Sequence, residues 1–136
     1  MTTELGMLVL TALLSILLAF PPLIAVITTQ GFVYGLGNRE LGGEALPEWG
    51  KRAERAHLNL LANLPAFAAL VLVAGLAGVS NEVTEIGAQQ FFWARVAHAA
   101  IYIAGIRYIR AIAFGVSLGG LFAIAGELLS AWSVTA

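Results

Sequence analysis

Arg52, Arg55, Asn59 and Asn63 follow one another at spacings of three, four and four residues. On a helix that spacing draws one continuous polar stripe. Arg95, His98 and Tyr102 repeat the pattern at three and four, in a segment leading to Arg107 and Arg110. Guanidinium groups hold carboxylates bidentately and keep their charge in a low-dielectric site. The asparagines add donors and acceptors, and Tyr102 adds a phenolic hydroxyl. These residues point to an anion-binding pocket. The sequence contains no cysteine and no aspartate, and all eight of its acids are glutamate. That excludes a protein thiol nucleophile, a disulfide framework and a Ser-His-Asp triad. Two histidines and scattered glutamates do not supply the ligand spacing of a metal site. The pocket suits a small anionic cosubstrate that brings its own reactive group. If that group is a thiol, a nearby guanidinium favours the thiolate and so activates it.

The elements that position these residues are membrane helices. Of the 136 residues, 60% are hydrophobic and only 11% charged, against about 25% charged in a soluble domain. A net charge of −1 leaves no footprint for nucleic acid. Four apolar stretches, about 5–29, 52–79, 88–108 and 111–134, each meet the roughly 20 residues needed to cross a bilayer. The expected fold is an all-α, integral-membrane four-helix bundle in one domain, 1–136. The first stretch carries Glu4 in place of a basic leader and is too long for a signal peptide. Pro21 and Pro22 inside it should kink or break the helix. Glycine breakers make residues 30–51 the one long loop, and a tight turn is expected around Arg107–Ala111. Six of the seven cations (Arg39, Lys51, Arg52, Arg55, Arg107 and Arg110) flank these two connections. The positive-inside rule puts both in the cytoplasm and both termini on the other side. Gly115, Gly119, Gly120, Gly75 and Gly78 favour close helix packing, within or between subunits.

Each polar residue also has a plainer reading. Lys51, Arg52 and Arg55 could anchor the helix at the interface by snorkelling. Arg95 could pair with Glu127, and His98 could be an interhelical hydrogen bonder. His57 lies off the Arg55–Asn59 stripe and could meet headgroups or another subunit. Facing lipid, Arg95 would cost ~2.5–3.5 kcal/mol or more, so the two stripes are expected to face each other or a shared aqueous cavity.

Arg52-x-x-Arg55-Ala-His57-x-Asn59 with Leu64-Pro65-x-Phe67, and Arg95-Val-Ala-His98-x-x-x-Tyr102 with Arg107 and Arg110, together resemble the MAPEG family. These are the membrane-associated proteins in eicosanoid and glutathione metabolism. Helix number, the long first loop and the orientation agree, so the resemblance covers essentially the whole chain. It implies a homotrimer with glutathione bound between subunits near the cytoplasmic face. It also implies conjugation of glutathione to lipophilic electrophiles, reduction of lipid hydroperoxides, or endoperoxide isomerisation. By position, Arg55 and Asn59 would hold the glutathione backbone, with His57 in support. Arg95, His98, Arg107 and, from a neighbouring subunit, Arg39 complete the candidate binding set. Tyr102 lines the site, and the thiolate-stabilising arginine falls on Arg110, with Arg107 the alternative. One position departs. Where family enzymes carry a glutamate for the glutathione amine, this chain has Ala62. Losing one partner of a buried charge-assisted hydrogen bond costs ~1–3 kcal/mol or more, about 5- to 150-fold in affinity. Asn63 points ~100° away and replaces it poorly. The family includes a lipid-binding member without chemistry, so a binder of lipid or another anion is the alternative to an enzyme. A transporter or purely structural subunit is a third reading, disfavoured by the lack of internal repeats. The short chain and compact first loop resemble bacterial members, which implies the inner membrane with the site toward the cytoplasm.

Overall fold

The computed structural model describes residues 1–38 and 45–135. Arg39 lies outside the described residues. Six helices follow in order: α1 (Thr3–Leu17), α2 (Phe20–Gln30), α3 (Phe32–Leu36), α4 (Glu48–Ala77), α5 (Glu82–Ala104) and α6 (Ile109–Thr135).

The first apolar stretch is broken at Leu18–Ala19. Pro21 and Pro22 have no N–H to offer the carbonyls of Leu17 and Leu18, and their rings crowd those carbonyls. They sit comfortably in the first turn of α2, where the missing donors would be unpaired anyway. The loop expected over 30–51 contains α3, and α4 starts one turn earlier than hydropathy suggests, at Glu48. The third helix differs more. It runs Glu82–Ala104, where its apolar residues alone suggest 88–108. Asn81 caps it, accepting from the backbone N–H groups of Val83 and Thr84, while the Thr84 hydroxyl accepts from the Asn81 N–H. Glu82 and Glu85 in the first turn suit the positive end of the helix dipole. Polar residues that look like loop are thus the helix start. At the other end Gly105 adopts φ +79°, a left-handed stop that ends the helix before Arg107.

Helix α5 lies among α1, α4 and α6. It meets α6 backbone to backbone, because a Cβ on Gly120 would overlap the Gly87 carbonyl. Phe67, Val71, Ala88, Phe91, Leu121 and Ile124 fill the core beside this crossing. The Phe67 and Phe91 rings stack with centroids 4.1 Å apart. Leu18, Leu60 and Ala99 form a second cluster near the α1–α2 break. Of the five glycines expected to favour close packing, Gly115, Gly75 and Gly78 face open space, and Gly120 and Gly119, the latter beside Gln90, make close approaches.

Three stretches are long and apolar enough to cross a membrane: Thr3–Gln30, Glu48–Ala77 and Ile109–Val134. Their outward faces carry Leu13, Leu17, Leu72, Leu76, Ile112 and Phe122. A chain that exposes this much apolar surface needs lipid or partners around it. Helix α5 falls outside that group because of its polar residues. Its 23 residues reach about 34 Å, enough for a ~30 Å hydrocarbon core, and Arg95 and His98 are buried among the other helices.

The suggested Arg95–Glu127 pair does not form. The Glu127 carboxylate accepts from the Asn81 amide at 2.6 Å, and Arg95 Nη1 donates to Asn59 Oδ1 at 2.7 Å. Because α5 begins at Glu82, Arg95 stands roughly 20 Å along it from the Asn81 end, too far for Glu127.

Candidate functional site

Helix α4 delivers Glu48, Arg52 and Arg55 to one end of the molecule, in register with Asn59 one turn further in. Tyr102 comes from the last turn of α5, Arg107 from the turn that follows, and Arg110 from the start of α6. Together they line a cleft of about 440 Å³. Arg52 closes one wall by donating Nε–H to the Ile103 carbonyl at 3.1 Å. Gly105 permits that approach, since a Cβ there would stand 3.1 Å from the Arg52 guanidinium carbon. The Arg110 guanidinium lies over the Tyr102 ring, 4.5 Å from its centroid. This cation–π contact fixes both at the boundary of the cleft. Tyr108 lies beside them at φ 68°, a conformation uncommon for an aromatic residue.

A recess of about 240 Å³ continues from the cleft and shares Tyr102, Arg110 and Ala111 with it. Asn59, His98 and Phe114 form its remaining walls. His98 meets Tyr102 edge-on, with ring centroids 5.5 Å apart. Arg95 stands behind Asn59, 1% exposed, its guanidinium 5.4 Å from the Phe91 ring and 5.2 Å from Phe114. Its Nε and Nη2 donors have no partner among the described residues. The Asn63 amide donates to the Asn59 carbonyl at 2.9 Å and is thereby engaged within α4.

The electrostatics are one-sided. Four guanidinium groups line the cleft, and the one carboxylate among its described lining residues, Glu48, is held by Lys51 at 2.8 Å. A concave site with this balance concentrates anions. It offers paired donors for carboxylates and a cation beside any thiolate, and it contains no protein nucleophile. Among the described residues, no three His, Cys, Asp or Glu side chains come together as a metal site.

Of the residues singled out by spacing, Arg52, Arg55, Tyr102, Arg107 and Arg110 meet in the cleft. Asn59 and His98 meet Tyr102 and Arg110 in the recess, with Arg95 behind. His57 does not join them. It lines a separate apolar pocket of about 370 Å³ with Ile16, Phe20, Leu23 and Leu61, beside the α1–α2 break. Arg52, read from spacing both as part of the stripe and as an interfacial anchor, stands in the cleft wall, whereas Glu48 and Phe114 are not singled out by the sequence. The signal for Glu48 is present in the spacing, because it extends the stripe back from Arg52 by one turn of four residues. Phe114 has no such signature.

Comparisons with curated proteins and with solved structures gave no significant match. A family model does match, over residues 5–130, which takes in every element that builds the cleft and the recess. On that match the chain belongs to the MAPEG family, whose members are membrane proteins of eicosanoid and glutathione metabolism.

Proposed function

We propose that this protein is a glutathione-dependent transferase or peroxidase acting on lipophilic substrates dissolved in the membrane. The observation that carries the reading is the cleft in which, among the described residues, four arginines face a single, already engaged carboxylate beside Tyr102. Arg52 and Arg55 hold the cosubstrate's carboxylates, and Asn59 takes a polar group of its backbone. The Arg110 guanidinium stabilises the thiolate, and the Tyr102 hydroxyl stands ready to hydrogen-bond to the sulfur. In a transfer reaction that thiolate attacks an electrophilic carbon, the carbon–sulfur bond forms and the leaving group departs. In a peroxidase reaction the thiolate attacks a hydroperoxide oxygen, the O–O bond breaks and the protonated alcohol leaves; a second glutathione thiol then displaces water from the sulfenic acid, and glutathione disulfide is released. The protein contributes positioning and fixed positive charge.

The same reading makes α1–α2, α4, α5 and α6 the four membrane crossings of each subunit of a homotrimer. Both termini lie outside, and the cleft opens to the cytoplasm of a bacterial inner membrane. The cation asymmetry supports the orientation. Burial of Arg95 and His98 supports the crossing of α5.

Thermal unfolding of the detergent-purified protein with millimolar glutathione tests the proposal. A ligand at 100 times its Kd stabilises by about 2.7 kcal/mol. An upward shift with glutathione and none with glutamate, followed by thiol-dependent turnover of a generic aryl halide, is the expected result. Ala62 favours one rival, a non-catalytic protein that holds a lipid or another anion in the same cleft. Copurified lipid, no shift with glutathione, and a shift regained in Ala62→Glu would establish that rival.

A further inference from the structure

Glutathione presents two carboxylates and one ammonium group, and the described walls of the site provide for the carboxylates but not for the ammonium. Arg52, Arg55, Arg107 and Arg110 face the cleft. Glu48 is bound to Lys51. The recess has no acid among its lining residues, and its one acceptor amide, Asn59 Oδ1, is taken by Arg95. Along α4 the stripe that begins at Arg55 and Asn59 continues with Ala62 and Ala66, both exposed methyl groups. Glu54, next to Arg55, lines neither cavity. Glu4, Glu82, Glu85 and Glu127 belong to the opposite end of the helices. An ammonium seated here would meet guanidinium groups with no described carboxylate free to balance it, and like charges at close range repel.

We propose that the cleft selects its thiol cosubstrate by carboxylates alone, and therefore takes anionic thiols whose amine is absent or masked at least as well as glutathione itself. The inference rests on the thiol-dependent reading above and narrows its substrate class. An acyl or des-amino thiol loses no contact on entering the site. It also sheds the one positive charge that opposes binding.

The test compares two probes on the full-length protein in detergent: glutathione, and its des-amino analogue with glutaryl in place of γ-glutamyl. The two differ only in the amine. Dissociation constants come from thermal-shift titration at neutral pH, and thiol-dependent turnover of an aryl halide is followed in parallel. The expected result is equal or tighter binding of the des-amino thiol, with turnover retained. A site that seats the ammonium on a carboxylate would instead lose about 10-fold or more, and that outcome overturns the inference while leaving the thiol-dependent reading intact. If neither thiol binds or turns over, the reading itself falls and the inference with it. Ala62→Glu adds a control within the same fold: a regained preference for the free amine marks this wall as the place where the ammonium would have sat.

Discussion

At one end of the helices Glu4 is 2% exposed, and its carboxylate accepts hydroxyls from Ser80 and Thr84. Glu127, on α6, accepts the Asn81 amide that also belongs to the α5 cap. At the other end Arg55, Arg107 and Arg110 stand exposed around a cleft, and no described carboxylate lies within ion-pair distance of them. The contrast separates two uses of charge. The glutamate end ties α1, the α4–α5 turn and α6 together with short neutral donors, so its polar groups serve the fold. The arginine end leaves like charges gathered and unbalanced, which opposes folding. Such an arrangement is a candidate binding site because a ligand can relieve it. Substitutions at the glutamate end should cost stability and spare ligand binding, and those at the arginine end should do the reverse.

The largest effect is expected where both ends depend on one contact. In Gly120→Leu the new side chain would collide with the Gly87 carbonyl and press on the Phe91 N–H at 3.0 Å. Overpacking of this kind costs about 1–3 kcal/mol when neighbours can yield, and more against backbone. Loss of the folded species on size-exclusion chromatography in detergent checks it. A variant that stays folded and keeps both ends intact would show that α5 and α6 can separate without consequence. Next in size is Arg110→Ala. Under the proposed mechanism this removes the cation that stabilises the thiolate, and kcat is expected to fall about 10²–10³-fold, with the unfolding midpoint of the ligand-free protein unchanged. Steady-state turnover of an aryl halide with glutathione, alongside a thermal melt, separates the two quantities. A fall in both would move Arg110 to the structural side of the comparison.

Much of this division was legible in the sequence, and the reason is periodicity. The α4 and α5 stripes follow from spacing alone, because a helix brings residues three and four apart onto one face. The helix break follows from Pro21 and Pro22, and membrane insertion from composition. What could not be read depends on contacts between distant residues. The start of α5 at Glu82 falls outside the apolar stretch 88–108 because Asn81, Glu82 and Glu85 are polar, and their value as cap and dipole partners emerges only once the helix exists. A helix read from 88 alone sets Arg95 near Glu127, whereas the helix that starts at Glu82 brings it to Asn59. The Gly87–Gly120 crossing and the Arg52–Ile103 contact span 33 and 51 residues along the chain, and no local pattern announces either.

A smaller effect is expected at the glutamate end. Thr84→Val keeps the shape of the side chain, removes a hydroxyl that donates to Glu4, and breaks the reciprocal half of the α5 cap. Leaving a buried carboxylate short of a donor costs about 1–3 kcal/mol. The melt should fall accordingly in detergent, and the glutathione dissociation constant should stay where it was. A weakened ligand with an unchanged melt would reverse the assignment of the two ends.

The smallest expected effect probes the seam between fold and site. Gly105 has φ +79°, and only there does the chain turn closely enough for Arg52 to reach the Ile103 carbonyl. Gly105→Ala places a methyl in the left-handed region, at roughly 1–2 kcal/mol. It also sets that methyl 3.1 Å from the Arg52 guanidinium carbon. Arg52 can yield by swinging into the cleft, since its side chain is long and only Nε is tied. The melt should therefore drop by about 1 kcal/mol or slightly more. The affinity for an anionic thiol should change with it, because a wall of the cleft has moved. Asymmetry between those two readouts is informative. A lower melt with unaltered affinity would make Arg52 a helix clamp that belongs with the glutamate end in function, leaving Arg55, Arg107 and Arg110 to hold the anion.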